Sequence, residues 1–226
     1  MEIKYLGHSC FLIHFNDKRL LFDPFIGGNP LAQHIDIHSI KADYALISHG
    51  HGDHIGDAAS IYKNQAFTAI SNFEVISWLE GKAIPGLAMN HGGKRTLLFG
   101  TVKYVNAIHS SVLPDGTNGG NPGGFVIWDD HECFYFAGDT ALHMDMKLIP
   151  LTCPPVNFAI LPIGDVFTMG YDDALIAAEW LDCKTIIGCH YDSFDMIKID
   201  HQKAVEAFSN KGIQLILPKI GETFSI

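Results

Sequence analysis

Apolar positions fall in short runs broken by Gly, Pro, Asn and Asp, with few long helical repeats. Runs of this kind, rich in β-branched and aromatic residues, predict strands. The N-terminal half offers Ile3–Leu6, Cys10–Phe15 and Leu20–Asp23, then a Gly/Pro/Asn loop at Phe25–Pro30 and a buried strand at Asp43–Ser48. A helix is predicted over His54–Lys63, a strand over Phe67–Ser71 and a helix over Phe73–Leu79. Thr96–Phe99 and Val102–Ile108 read as a hairpin with Gly100 in the turn. The second half predicts strands at Phe125–Trp128, Cys133–Ala137, Phe158–Ile163 and Ile186–His190, and a final strand at Leu215–Leu217. Helices are predicted at Asp173–Leu181, with Asp172 as its N-cap, and at Gln202–Phe208. Meandering strands with helices between them fit an α/β (α+β) fold of two face-to-face sheets covered by helices.

No repeat or linker divides the chain, and 226 residues suit one domain over 1–226. The Gly/Asn/Pro-rich stretch Ser111–Gly124 reads as a loop bordering a site. Charge narrows the partners. Net charge is −10, and only Arg19 and Arg95 are arginines. Such a surface is a poor match for nucleic acid or an anionic membrane, leaving a small-molecule substrate as the expected partner. No apolar stretch is long enough to span a bilayer, and no signal peptide is visible. Five cysteines without a C-x-x-C pair read as reduced core thiols, so a cytoplasmic location is expected. Oligomeric state is not legible.

Histidine is the outlying count, at 13. The segment Ile47-Ser48-His49-Gly50-His51-Gly52-Asp53-His54 follows an apolar strand and precedes a helix. In extended chain His49 and His51 share one side. Asp53 and His54 lie past the turn and point elsewhere, and Gly50 and Gly52 let the backbone bend. Two imidazoles facing one point, and a carboxylate with an imidazole facing another, suit two adjacent cations.

This H-x-H-x-D-H pattern resembles the metallo-β-lactamase superfamily, and four further motifs follow that family's order. They are Asp23 in Leu21-Phe22-Asp23-Pro24, His109 in Ala107-Ile108-His109-Ser110, Asp139 in Ala137-Gly138-Asp139-Thr140, and His190 in Gly188-Cys189-His190. The resemblance implies a four-layer αββα sandwich. It implies that His49, His51 and His109 hold one metal, that Asp53, His54 and His190 hold a second, and that Asp139 bridges them. Asp23 would orient a ligand without binding metal. Nitrogen and oxygen donors without thiolate suit two divalent ions, Zn²⁺ ahead of Mn²⁺ and Fe²⁺. The phrases Tyr5-Leu6-Gly7-His8-Ser9, Pro162-Ile163-Gly164, Phe167-Thr168-Met169-Gly170 and His190-Tyr191 resemble the compact UPF-type metal-dependent hydrolases, akin to the ascorbate-6-phosphate lactonase branch.

The implied activity is that of a dinuclear hydrolase, in which a metal-bound hydroxide attacks an ester, lactone, amide or phosphodiester. A di-iron oxidoreductase on the same fold is one alternative, although that branch carries Glu where His51 stands. A phosphodiesterase or nuclease is another, disfavoured by the charge. Asp139 is expected to take part in proton transfer. His8, in a turn at the rim of the site, is expected to protonate the leaving group. His91 and His143 are weaker candidates, Phe167 and Met169 are possible pocket residues, and Cys189 faces away from the metals as core.

Overall fold

The computed structural model describes residues Met1–Ile226. The first sheet is built from β1 (Glu2–Gly7), β2 (Cys10–Phe15), β3 (Lys18–Phe22), β4 (Tyr44–Leu46), β5 (Thr68–Asn72), β6 (Gly86–Met89) and β14 (Thr223–Ser225), in the order β14-β1-β2-β3-β4-β5-β6. The second holds β7 (Lys94–Leu97), β8 (Gly100–Asn106), β9 (Gly123–Trp128), β10 (Cys133–Phe136), β11 (Phe158–Pro162), β12 (Thr185–Cys189) and β13 (Gln214–Ile216), in the order β13-β12-β11-β10-β9-β8-β7. Each sheet is antiparallel on one side and parallel on the other. The parallel runs go from β3 to β6 and from β10 to β13.

Two-sided burial explains why these strands read as near-continuous apolar runs. One core lies between the sheets and is rich in aromatics: Phe22 lies tilted 4.8 Å from Phe136 and edge-on 6.0 Å from Phe134. A second core lies between the first sheet and α1 (Gly52–Ile55), α2 (Ala58–Asn64) and α3 (Phe73–Glu80). A third lies beneath α4 (Ile149–Thr152), α5 (Tyr171–Trp180) and α6 (His201–Ser209). The result is the expected four-layer αββα sandwich. No helix is long and apolar enough to cross a membrane.

Several sequence expectations need correction. The helix over His54–Lys63 is two helices broken at Gly56-Asp57. Asp57 is drawn out of helical register because its carboxylate accepts from the N–H groups of Ile26 (2.6 Å) and Gly27 (2.7 Å). Gly170, not Asp172, is the N-cap of α5, so Asp172 lies within the first turn. Gly100 begins β8 and does not make the turn. The last strand is β14, which follows β13 and crosses to the other sheet.

The parallel strands aim their C-terminal ends at one edge of the sandwich, where open sheets place their ligands. β3 runs into Asp23 and β4 into Ser48-His49. On the second sheet β10 runs into Asp139 and β12 into His190.

Candidate metal centre

Seven predicted ligands converge at this edge. The donor atoms of His49, His51 and His109 lie within 4.8 Å of one another, and so do those of His8, Asp53, His54 and His190. Between the groups sits Asp139, buried, with Oδ2 3.2 Å from His54 Nε2, 3.6 Å from His109 Nε2 and 3.0 Å from His190 Nε2. His49 Nε2 faces His51 Nδ1 at 3.0 Å. Donors sharing a cation at about 2.0–2.2 Å stand about 3.0–3.6 Å apart. His54 Nε2 and Asp139 Oδ1 are buried with no hydrogen-bond partner. Buried polar atoms without partners are costly, and a cation among these clustered donors would supply one. The donor set therefore fits a divalent metal.

A polar frame holds the imidazoles. Asp23 is fully buried. Its Oδ1 accepts from the Ser48 N–H at 2.7 Å, and its Oδ2 accepts from the Ser48 hydroxyl at 2.7 Å and from His54 Nδ1 at 2.7 Å. Ser48 Oγ is in turn 2.9 Å from His49 Nδ1. One carboxylate thus orients an imidazole in each ligand group and turns both Nε2 atoms inward. His51 is reversed: its Nε2 faces Ser110 Oγ at 3.3 Å, which leaves Nδ1 for the site.

His8 is not at the rim. It is fully buried, with Nε2 3.2 Å from Asp53 Oδ2 and Nδ1 3.1 Å from Ser193 Oγ. Its backbone is left-handed at φ 55°, and its carbonyl accepts from the His190 N–H at 2.9 Å. His190 (φ 54°) and Asp23 (φ 39°) share that conformation. Non-glycine residues there carry about 1–3 kcal/mol of strain and gather at functional sites.

Charge follows from burial and neighbours. Burial lowers the pKa of His49, His51 and His109, leaving the neutral imidazoles that metals require. Burial also pushes His8 down to about 4, so its neutral ring donates to Asp53. Burial opposes a charge on His54, but Asp139 and Asp23 on either side raise it well above the usual histidine range. For Asp139 burial is outweighed by His190 and His54, and for Asp53 by the His8 hydrogen bond and His54. Both stay ionised.

The donors form the floor of a cavity of about 260 Å³, bordered by Ser110, Phe167 and Phe194. Met169 is core. His91 and His143 line a separate cavity of about 270 Å³ and do not reach the donors. Sequence reasoning missed Ser48, Ser193, Ser110 and Phe194. Ser48, beside His49, and Ser110, beside His109, carried a local signal in their motifs; Ser193 and Phe194 carried none.

Comparison with known proteins bears on the family and the fold. Residues 2–190 match the family described as beta-lactamase superfamily domain. The chain is 49% identical over 226 residues to a UPF0173 metal-dependent hydrolase of Flavobacterium johnsoniae, with 100% of each covered. It is 50% identical over 227 residues to one of Christiangramia forsetii, again with 100% of each covered. Among solved structures, the metallo hydrolase Igni18 of Ignicoccus hospitalis superposes with a TM-score of 0.89 at 30% identity, covering 100% of this chain and 98% of that one. The chain belongs to the beta-lactamase superfamily, and within it to the UPF0173 family of metal-dependent hydrolases.

Proposed function

We propose that the chain forms one hydrolase domain with a dinuclear metal centre, acting on an ester, lactone, amide or phosphodiester of a small molecule. The observation that carries this reading is the position of Asp139 Oδ2, within 3.6 Å of imidazole nitrogens from both donor groups. His49, His51 and His109 would hold one cation, Asp53, His54 and His190 the other, and Asp139 would bridge them. Zn²⁺ is the first expectation for these donors, with Mn²⁺ and Fe²⁺ compatible. When bound, such a pair polarises the electrophilic oxygen and lowers the pKa of a shared water.

The chain's own groups do the positioning. Asp23 and Ser48 fix the imidazoles, and Asp139 is the buried carboxylate placed to accept a proton beside the reacting centre. His8 holds Asp53 through Nε2, and its burial favours this role over protonating a leaving group. His8→Ala should lower occupancy of the second metal position and slow activated and unactivated esters alike. Retained metal, with slowing confined to esters of high-pKa alcohols, would instead make His8 the proton donor.

Metal analysis of protein from metal-replete medium should approach two equivalents per chain. Asp139→Ala should lose both metals and His190→Ala about one. A persistent value at or below one in the unaltered protein overturns the dinuclear reading. Turnover should appear within a panel of esters, thioesters, lactones and phosphodiesters, and absence across that panel overturns the substrate range.

A further inference from the structure

The mouth of the metal cavity is apolar, and its walls carry no cation. Phe167 and Phe194 stand on opposite loops and border the same cavity as His51, Asp53, His109, Asp139 and His190. They are 49% and 37% exposed, unusual for phenylalanine in a structure that buries most of its aromatics. Val166 and Met196, 58% and 62% exposed, lie beside this cavity on a neighbouring groove that also carries the charged Asp165, Asp172, Lys198 and Asp200. Exposed apolar patches that rim a polar centre mark binding sites.

The loop carrying Phe167 is built to present it. Gly164 and Gly170 pair as a β-bridge, and the Asp165 N–H donates to the Met169 carbonyl at 3.1 Å. The Met169 N–H donates to the Thr140 carbonyl at 3.0 Å, tying the loop beside Asp139. Within this clamp Asp165 and Val166 are left-handed, at φ 62° and 60°. A β-branched residue rarely adopts that conformation, so holding Val166 there keeps Phe167 turned outward at a cost in strain. On the other side, Phe194 packs edge-on against His8 with ring centroids 5.4 Å apart.

Neither Lys nor Arg lines this cavity. A phosphorylated or carboxylated substrate would bring a charge beyond its reacting group, and no side chain there would pair with it. The cavity, about 260 Å³ and open at its mouth, takes only a small reacting group. Resting on the hydrolase reading above, the geometry points to a small neutral acyl compound whose alkyl or aryl group sits between Phe167 and Phe194. Water adds across its acyl C–O bond. The water oxygen ends on the acid, and a proton ends on the departing alcohol.

The test uses metal-replete protein and the nitrophenyl esters of acetate, butyrate and hexanoate, with the mono-nitrophenyl ester of adipate as a hexanoate match bearing a terminal carboxylate. In the unaltered protein kcat/KM should rise at least about tenfold from acetate to hexanoate, as buried methylenes add binding. The adipate ester should fall at least about tenfold below hexanoate. Phe167→Ser should collapse the hexanoate-to-acetate ratio, and Phe167→Leu should retain most of it. Saturation-transfer NMR with benzyl alcohol supplies a readout without turnover: binding should be present in the unaltered protein and lost in Phe167→Ser. Benzyl alcohol binding with no ester turnover upholds the aromatic mouth and removes the hydrolase reading. Turnover that ignores chain length, or favours the adipate ester, overturns the inference. So does a Phe167→Ser protein that changes sedimentation but keeps the ratio, because the patch would then be a contact between copies of the chain.

Discussion

Removing the Asp23 carboxylate releases two imidazoles at once, because His54 bonds it directly and His49 reaches it through Ser48. Partners of this kind typically account for about 10–100-fold in metal affinity. On the two-metal proposal, Asp23→Ala should therefore weaken both metal positions by about that factor, and Ser48→Ala chiefly the His49 position. Competition against a calibrated chelator measures each, and a loss confined to one position in Asp23→Ala would break the shared-frame account. The seven candidate donors were legible because four separate motifs end strands in the family's order. Asp23 was legible for the same reason. Ser193 was not: it meets His8 across 185 residues of chain, and no local pattern sets a serine apart for that purpose. His8 was legible as a site residue, but its depth was not, since burial of a turn depends on what packs over it.

Helix α3 holds the loop at Ser111–Gly124 against the metal edge. Asn72 caps the helix by accepting from the Val75 N–H at 2.8 Å, and its Nδ2 donates to the carbonyls of Gly119 (2.7 Å) and Asn121 (3.1 Å). In turn the Gly50 N–H donates to the loop's Ser111 hydroxyl oxygen at 3.1 Å. Asn72→Ala should cost about 1 kcal/mol for the lost cap and about 1–3 kcal/mol for the buried Gly119 carbonyl left unpaired. Chemical denaturation measures the sum, and a loss below about 0.5 kcal/mol would mean that the loop is held elsewhere. The central strands were legible because they are buried on both faces and bounded by turn residues. The break at Asp57 was not, since its partners Ile26 and Gly27 lie some thirty residues away. Strand β14 is short, largely exposed and polar at both ends, so its pairing depends on β1 and not on its own pattern.

The donors come from both sheets: His49, His51, Asp53 and His54 follow β4, and His109, Asp139 and His190 follow strands of the second sheet. A complete site exists only when the sheets are packed, so metal binding is linked to folding. Free metal at about 100 times its Kd adds about 2.7 kcal/mol. At about 2–4 °C per kcal/mol for a chain of this size, the thermal midpoint should fall by about 5–11 °C after chelation and return on reloading. An unchanged midpoint would show that the sandwich does not feel its metals. The pairing of β14 with β1 also sets an order of events during synthesis. Glu2 ends opposite Ser225 and Lys4 opposite Thr223, so β1 waits for a strand made about 220 residues later before its outer edge is covered. At about 5–20 residues per second, that wait lasts on the order of ten seconds or more. An uncovered strand edge invites pairing with another nascent chain. Until β14 arrives, the opposite charges of Glu2 and Lys4 leave that edge with no net charge to repel its like.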